Sequence, residues 1–539
     1  MVSGDFWVLA AMLLYFVVVL VIGLSYSKRA NKSTSDYFLG GRTLGPWLTA
    51  LSAGASDMSG YLLMGLPGLA YFTGASEAGW TAVGLALGTF LNWTIVAKRI
   101  HLYSVRLGNV ITLPEFYSKR VKRDDNIVST IAAIIIFIFF SIYVGSCFVT
   151  VGKLFNMLFG INYLTMVILG AFIVFLYTLL GGYLSVCVTD FIQGLLMFAA
   201  LAIVLVGTIA WAGGVENAAN FLKDIPGFLS ATESASPILT VTGEQMQEAG
   251  VPFFGEPKQF GAIAIISALS WGLGYFGMPH ILIRFFGIRS TKDIKASRII
   301  GLTWASISLI CAVGIGLIGR SVFPTSLATA SASENIFILC SQMILPSFLC
   351  GIVVSGILAA SMSSSSSYLL MAGASIAENI FRGLIKKDAT EDQVMVVARI
   401  TLVLVFLFGI LVAADQNSTI FMVVAYAWAG LGASFGPLTL CSLYYRRLNR
   451  AGAIAGMLSG TAVVLIWKNF LTPLGGIFEI YELLPAFIVS LLCIIIVSRL
   501  TKAPDRWVLD AFDDYTETHE MEEIREEVEA ELAKDSSNK

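Results

Sequence analysis

Long uncharged apolar runs, separated by short charged segments, fill almost the whole chain. A helix of about twenty apolar residues crosses a bilayer, and a window of that length finds thirteen such runs. They start near residues 6, 47, 76, 127, 162, 187, 260, 299, 338, 396, 418, 452 and 481. The pattern predicts an all-α polytopic membrane protein with thirteen transmembrane helices.

The charges between the runs predict which way the chain is oriented. If the N-terminus is outside, 29 of the 34 Lys and Arg residues fall in inside segments or in the C-terminal tail. The five others are Lys153, Lys223, Lys258, Arg320 and Lys468. Basic residues concentrate on the cytoplasmic side of membrane proteins, so we expect the N-terminus out and the C-terminus in.

Two polar segments lie outside the predicted bundle. Residues 214–259 form a long outside loop that has room for short helices or a lid. Residues 503–539 form a tail with thirteen Asp and Glu, in which the stretch EMEEIREEVEAELAK has a helix-forming composition and little apolar surface. We expect a solvated cytoplasmic helix in the tail.

Composition supports the membrane class and narrows the function. The chain is 57% hydrophobic and 13% charged, which is far from the balance of a soluble domain. Its seven cysteines lie in apolar runs without CxxC or Cys/His spacing, which argues against a disulfide framework, a zinc site or a haem. No Walker A motif is present, which argues against an ATP-driven pump. These features favour a transporter over an enzyme.

Two apolar runs are interrupted by glycine and proline at matching positions. They are ASDMSGYLLMGLPG at 55–68 in helix 2 and SWGLGYFGMPH at 270–280 in helix 7. They lie five helices apart, so helices 2–6 and 7–11 would form two five-helix units, the second inverted because five is odd. Paired interruptions of this kind mark mid-membrane binding sites in transporters. Accidental pairing is the alternative, since glycine and proline are common in membrane helices.

Asp57 lies within the first interrupted run. A carboxylate near the bilayer centre costs about 2.5–3.5 kcal/mol. Asp57 is therefore either part of a site or an N-cap for the second half of the broken helix, and both roles are compatible.

Four stretches resemble the sodium/solute symporter family, and within it the proline-transporting members. They are DYFLGGRTLGPWLTALSAGASDMSGYLLMGLPG (36–68), GGYLSVCVTDFIQG (181–194), SWGLGYFGMPHILIRF (270–285) and GILAASMSSSSSYLL (356–370). The similarity runs through nearly all of residues 5–500 in the right order. It implies a LeuT-like 5+5 inverted-repeat core with extra helices at positions 1, 12 and 13. It also implies sodium-coupled uptake of L-proline across the cell membrane.

The resemblance gives the chain six parts. They are a first transmembrane helix and inner loop (1–45), a first five-helix repeat (46–213), an extracellular loop (214–259), a second five-helix repeat (260–445), two C-terminal helices (446–502) and the acidic cytoplasmic tail (503–539).

The family's sodium site falls on Ala55 and Met58 of helix 2 and on Ala360, Ser363 and Ser364 of helix 9. Sodium prefers oxygen ligands, and an unwound helix 2 frees backbone carbonyls. The three helix 9 residues are spaced i, i+3 and i+4, so they share a face. The alternative for the serine run is a small-residue packing stripe.

The resemblance assigns coupling roles to three charged residues. Asp57 would be essential for sodium-dependent binding, and Asp190 would be a second carboxylate on the sodium exit path. Arg42 matches a family arginine at the inner end of helix 2. Helix capping is the alternative for Asp190, and interfacial snorkelling is the alternative for Arg42.

The resemblance also assigns a substrate site. Its residues are Ser59, Gly60, Tyr143, Trp271, Tyr275 and Pro279. Aromatic faces fit an aliphatic ring and attract an ammonium group, while Ser59 and Gly60 would supply the carboxylate end. Aromatic side chains packed in lipid or at the interface are the alternative.

Two other functions remain open from the sequence. The same fold can move another solute, such as a different amino acid, a sugar or a vitamin. A transporter-like membrane sensor is a second alternative, although family sensors carry a long kinase region that the short tail lacks. A channel is less favoured because no filter sequence is evident.

Overall fold

The computed structural model describes residues 5–30, 34–122 and 126–517, which form a bundle of helices. The helices of the first half are α1 (Phe6–Ala30), α2 (Thr34–Leu39), α3 (Pro46–Asp57), α4 (Leu66–Thr73), α5 (Ala75–Leu91), α6 (Ala97–Arg106), α7 (Leu113–Val121), α8 (Ile127–Phe159), α9 (Tyr163–Trp211) and α10 (Val215–Lys223). Those of the second half are α11 (Ala262–Leu269), α12 (Pro279–Gly287), α13 (Asp293–Val322), α14 (Ala330–Ser333), α15 (Ile336–Ile344), α16 (Ser347–Ala374), α17 (Glu391–Val412), α18 (Ile420–Tyr444), α19 (Arg450–Ile466), α20 (Leu483–Leu500) and α21 (Arg506–Glu517).

Short 3-10 and π turns join or extend several helices. The 3-10 turns are Gly40–Arg42, Ser270–Gly277, Thr472–Leu474 and Gly476–Glu479, and the π turns are Tyr61–Gly65, Asn92–Val96, Ser375–Ile385 and Trp467–Leu471.

The described residues contain ten helices that are long and apolar enough to cross a membrane, or eleven if the pair α11–α12, bent by 45°, counts as one span. The runs predicted near residues 47 and 162 contain the shorter apolar helices Tyr61–Thr73 and Tyr163–Leu176. The all-α polytopic prediction is confirmed.

The helix predicted to start near residue 338 begins later than expected. The chain first forms the nine-residue helix α15, and the long helix α16 starts at Ser347, directly after Pro346. Proline lacks an N–H and biases the residue before it toward extended backbone, so it ends one helix and starts another. Leu345 is accordingly extended, with φ −118° and ψ 142°.

Both interrupted runs are broken helices. Helix α3 ends at Asp57, and the chain resumes through the Tyr61–Gly65 turn into α4. Helix α11 passes into the Ser270–Gly277 turn, and α12 starts at Pro279. Glycine allows close packing at these breaks. A Cβ on Gly60 would lie 2.1 Å from the Thr150 hydroxyl, and a Cβ on Gly274 would lie 2.0 Å from Trp428 Nε1.

The bundle has two distinct ends, defined by the continuous helix 75–106. At its first turn the Ala75 N–H donates to the Phe228 carbonyl at 2.8 Å, so this end, the loop face, carries residues 214–259. At its last residue Arg106 pairs with Asp514 of α21, so the other end is the tail face.

The loop contains small elements, as the sequence prediction allowed. Besides α10, strand β1 (Glu233–Ser234) pairs antiparallel with β4 (Lys258–Gln259), and β2 (Gln247–Glu248) pairs antiparallel with β3 (Val251–Pro252). The tail stretch EMEEIREEVEAELAK lies outside the described residues.

Helix α16 lies at the centre of the bundle and packs against α1, α3, α8 and α9. Its serine run is fully buried. The two breaks lie beside this helix, so the candidate site has a polar central wall.

Candidate functional site

The side chain of Asp57 connects the two broken helices. Its carboxylate accepts a 2.6 Å hydrogen bond from the Tyr275 hydroxyl, and its second oxygen lies 3.9 Å from Nε2 of His280. Asp57 is 6% exposed and His280 is fully buried. The aspartate therefore lies between the end of α3 and the start of α12.

The Asp57 carboxylate does not cap the second half of the broken helix. Within the described residues its hydrogen bond goes to a side chain, and it accepts no backbone N–H. Ser59 makes the local contacts instead, because its hydroxyl lies 3.4 Å from the Tyr61 N–H and its carbonyl accepts from the Leu62 N–H at 2.9 Å. The capping alternative for Asp57 is wrong for this conformation, which leaves its charge available to a ligand.

Three of the five residues assigned to the cation meet directly. The Ser363 hydroxyl lies 2.8 Å from the Ala55 carbonyl and 3.1 Å from the Ala360 carbonyl. This contact joins the last turn of α3 to the middle of α16. The three oxygens thus form a small polar cluster two residues from Asp57.

The other two residues of that set lie beside the cluster. Met58 has left the helix, with φ −86° and ψ 78°, so its carbonyl is outside the α3 hydrogen-bond ladder. The Ser364 hydroxyl is buried without a hydrogen-bond partner among the described residues. Its oxygen is therefore free to bind a cation, as is that of Ser361 on the same helix.

A buried ion pair lies further toward the tail face. Asp190 accepts from Arg284 Nη2 at 3.0 Å and from the Ser52 hydroxyl at 2.8 Å. Arg284 also donates to Ser367 at 2.6 Å and to the His280 carbonyl at 2.8 Å. Both members of the pair are fully buried. The network connects four helices, α3, α9, α12 and α16, on the tail-face side of Asp57.

These contacts correct two expectations. Asp190 lies within α9, and its carboxylate binds side-chain donors, so helix capping is not its role. The charge pattern predicts that Arg284 belongs to an inside segment. In the structure the residue lies in α12 and is fully buried. Its buried partner accounts for the difference, because a paired guanidinium is tolerated where a single one is not.

The Arg42 side chain is buried at the tail face and does not extend to the membrane surface. It is 7% exposed and donates to the Ser104 hydroxyl at 2.9 Å, the Phe286 carbonyl at 2.8 Å and the Val110 carbonyl at 3.0 Å. The snorkelling alternative is therefore wrong. Arg42 joins the turn before α3 to the end of α12.

Aromatic side chains line a narrow cavity of about 10 Å³ next to Asp57. Its wall consists of Asp57, Met58, Tyr61, Leu85, Tyr143, Trp271, Tyr275, Val424 and Trp428. A second cavity of about 20 Å³ borders Asp57, Met58 and Tyr275. About 10–15 Å³ holds one water molecule, so a solute the size of an amino acid needs these side chains to move apart.

The structure brings three of the six predicted substrate residues to this cavity. Tyr143, Trp271 and Tyr275 line it, whereas Ser59, Gly60 and Pro279 do not. Ser59 and Gly60 are buried at the break of the first broken helix, and Pro279 is the first residue of α12.

Sequence reasoning missed four residues of the wall, the aromatic Tyr61 and Trp428 and the aliphatic Leu85 and Val424. Tyr61 lies inside the interrupted run, where its aromatic ring was the available signal, and it stacks on Trp271 with ring centroids 5.5 Å apart. Trp428 of α18 donates from Nε1 to the Trp271 carbonyl at 2.9 Å, and its ring lies edge-on to Tyr275. Only the small residues around Trp428 in the sequence hint at close packing there.

Comparison with known proteins matches most of the chain to one protein family. The profile of the Sodium:solute symporter family matches residues 37–460. A sodium/proline symporter of Staphylococcus aureus (strain USA300 / TCH1516) is 41% identical over 500 residues, covering 92% of this chain and 93% of the relative. The sodium/proline symporter of strain JH9 is 40% identical over the same shares.

A solved structure shares the fold. It is a Na+-coupled sialic acid symporter in a substrate-bound outward-open state, with a TM-score of 0.74 and 19% sequence identity. The match covers 93% of this chain and 99% of that structure.

Proposed function

The chain belongs to the sodium:solute symporter family, and we propose that it couples the inward movement of sodium to the uptake of L-proline across the cytoplasmic membrane. The observation that carries this proposal is the pair of contacts at the break after α3. Ser363 meets the Ala55 carbonyl at 2.8 Å, and two residues later Asp57 meets Tyr275 at 2.6 Å. A cation at the first contact and a solute at the second would share the same short segment.

Sodium would bind at the Ser363 cluster. The carbonyls of Ala55, Met58 and Ala360 and the hydroxyls of Ser363 and Ser364 would supply five neutral oxygens, which suit a hard monovalent cation that must also leave. The buried, unpaired Ser364 hydroxyl supports this assignment. Binding would replace the contact between Ser363 and Ala55, so the cation would change how α3 is held against α16.

Proline would bind in the aromatic cavity. The faces of Tyr143, Trp271 and Tyr275 suit its aliphatic ring and attract its secondary ammonium. Ser59 and Gly60 lie where the chain resumes its helix, so the positive N-terminal end of that helix would attract the carboxylate once the cavity opens. Pro279 would shape the opposite side by fixing the start of α12. The names of the relatives at about 40% identity support proline as the solute.

Three charged residues would couple the two sites to the opening of the protein. Asp57 would hold the cation electrostatically and adjust the cavity through Tyr275. Asp190, paired with Arg284, would close the tail side of the path and receive sodium on its way out. Arg42 would set the position of α3 against α12.

We also propose the finer topology that the sequence predicts. It consists of thirteen spans with the N-terminus outside, the C-terminus inside and two inverted five-helix repeats, at 46–213 and 260–445. In this orientation the loop face is extracellular and the tail face is cytoplasmic. The matching breaks at Asp57 and Met278 support the repeat.

Uptake into proteoliposomes tests the function. Vesicles containing the full chain receive labelled proline with an inward sodium gradient, or with a potassium gradient at matched pH and membrane potential. We expect accumulation only with sodium, and faster uptake at an inside-negative potential, because each cation gains about 2.3 kcal/mol per 100 mV. Equal uptake without sodium would overturn the coupling. Sodium-driven uptake of another amino acid, a sugar or a vitamin with none of proline would overturn the substrate assignment.

A further inference from the structure

The segment that connects α19 to α20 reaches the aromatic wall from outside the proposed ten-helix core. Tyr481 lies in this segment, two residues before α20 begins at Leu483. It does not line the cavity, but its ring stacks on that of Trp271, with centroids 5.0 Å apart and an interplanar angle of 23°. A residue of the C-terminal helices thus contacts a residue of the proposed substrate site.

Two further hydrogen bonds fix Tyr481 in place. Its hydroxyl donates to the Ala425 carbonyl of α18 at 2.7 Å. Its backbone N–H donates to the Ser267 hydroxyl of α11 at 2.7 Å. The hydroxyl bond holds the outer end of the ring and the N–H bond holds the backbone, and neither bond involves Trp271.

The orientation of the Trp271 side chain depends on the rings that pack against it. Its backbone lies in the 3-10 turn Ser270–Gly277, where Trp428 Nε1–H donates to its carbonyl at 2.9 Å. That bond holds the backbone and leaves the side-chain torsions to the packing. The indole contacts the rings of Tyr61, Phe421 and Tyr481, so Tyr481 is one of the neighbours that set its orientation.

The stack continues from Trp271 into the first broken helix. Tyr61 stacks on Trp271 at 5.5 Å with an interplanar angle of 21°. Tyr61, Trp271 and Tyr481 therefore form a series of near-parallel rings. Its members come from the first broken helix, the second broken helix and the C-terminal helices.

We propose that Tyr481 is a positioning residue that sets the orientation of Trp271 and thereby the affinity for the transported solute. The inference rests on the proposed function, in which Trp271 contacts proline. It gives the C-terminal helices a role in substrate recognition in addition to packing. Aromatic pairs contribute beyond the area that they bury, so loss of the ring is expected to weaken proline binding by about 3- to 10-fold.

The test compares four variants of the full chain in proteoliposomes. Tyr481→Phe keeps the ring, Tyr481→Leu keeps apolar volume without a ring, and Tyr481→Ala removes both. Phe470→Ala is the matched control, because Phe470 lies on the same connecting segment and is 70% exposed. Proline half-saturation, sodium half-saturation and the maximal rate per inserted transporter are measured for each variant.

We expect Tyr481→Leu and Tyr481→Ala to raise the proline half-saturation about 3- to 10-fold, with a smaller change in maximal rate. Phe470→Ala should stay within about twofold of the unaltered chain. Tyr481→Phe keeps the ring and loses the bond to Ala425, so it should raise the proline half-saturation less than Tyr481→Leu does. A purely structural role would lower the amount inserted or the maximal rate and leave half-saturation unchanged. If Tyr481→Ala is not inserted into the vesicles, the proline half-saturation of Tyr481→Phe is compared with that of Tyr481→Leu, and this comparison tests the inference.

Equal proline half-saturation in Tyr481→Phe and Tyr481→Leu would overturn the inference and leave the proposed function intact. Absence of sodium-driven proline uptake by the unaltered chain would overturn the proposed function, and the inference with it.

Discussion

The Tyr275 hydroxyl donates a 2.6 Å hydrogen bond to the carboxylate of Asp57, and this contact joins two helices that are both broken at that level. The two residues are 218 positions apart in the chain. The contact places a charged group at the boundary between the aromatic cavity and the oxygen cluster around Ser363. Both proposed sites therefore lie next to one carboxylate.

Replacing Asp57 by Asn should abolish nearly all sodium-driven proline uptake, because the amide keeps the shape and loses the charge. Asp57→Glu should keep partial activity, since the charge survives on a longer side chain. Sodium-dependent binding and uptake at equal membrane expression are the measurements. Near-normal uptake by Asp57→Asn would show that the charge has no part in coupling.

Ser363→Ala and Ser364→Ala should each raise the sodium half-saturation at least about tenfold, because a hydrogen-bonding group facing a charge contributes about 1.5–3 kcal/mol. Ser355→Ala is the matched control. Ser355 lies on the same helix, and its hydroxyl donates within that helix to the Gly351 carbonyl. Uptake is measured over a range of sodium concentrations. Unchanged sodium dependence in both site variants would assign the serine run to helix packing.

Trp271→Ala and Trp428→Ala should raise the proline half-saturation about tenfold, through loss of ring contact and cation–π attraction. The effect on sodium half-saturation should be smaller, limited to what reciprocal coupling between the two ligands requires. Binding of labelled proline and of sodium to purified protein separates the two effects. Normal proline affinity in both variants would place the substrate wall elsewhere.

The pair Asp190–Arg284 offers a double-mutant test. Removing one partner leaves a buried, uncompensated charge and should destabilise the protein by about 3–5 kcal/mol. Asp190→Asn combined with Arg284→Gln should cost less than the sum of the single changes, because no charge remains unpaired. Thermal unfolding in detergent gives the comparison. Strictly additive losses would show that the two residues do not stabilise one another.

The docking of α21 should weaken in acid and in high salt. A hydrogen bond from exposed Arg446 lowers the pKa of Asp513. A carboxylate with a lowered pKa contributes stability above its ordinary value of about 4, and that stability is lost as pH falls through the lowered pKa. Relative to the intrinsic exchange rate at each pH, protection of the amides across 506–517 should therefore fall at low pH and at 1 M salt. Arg446→Gln should show faster amide exchange across 506–517 than the unaltered chain at neutral pH. Unchanged exchange in this variant would show that Arg446 does not help to dock α21.

The sequence predicts the broken helices well because their cause is local. Glycine and proline weaken the helix at the residues where they stand, so the runs at 55–68 and 270–280 are visible without any partner. The shift of the helix predicted near residue 338 has a local cause too, Pro346, which a hydropathy window does not register.

Long-range partners explain what the sequence does not reveal. Arg284 stands at the end of an apolar run, just before the basic residues Arg289 and Lys292, and Asp190, which allows it to be buried, is 94 residues away. Trp428 is 157 residues from the Trp271 carbonyl that it binds. Ser59, Gly60 and Pro279 follow from the family resemblance but lie outside the narrow cavity, since the backbone at each break packs against neighbouring helices.

The helical segment 75–106, which includes the π turn Asn92–Val96, connects the loop face to the tail face. At 1.5 Å per residue its 32 residues span about 48 Å, well beyond the roughly 30 Å of the hydrocarbon layer. One end is bonded to the loop and the other to α21. A tilt of about 5° around its middle displaces each end by about 2 Å in opposite directions. A tilt of this segment would therefore move residues on both sides of the membrane at once.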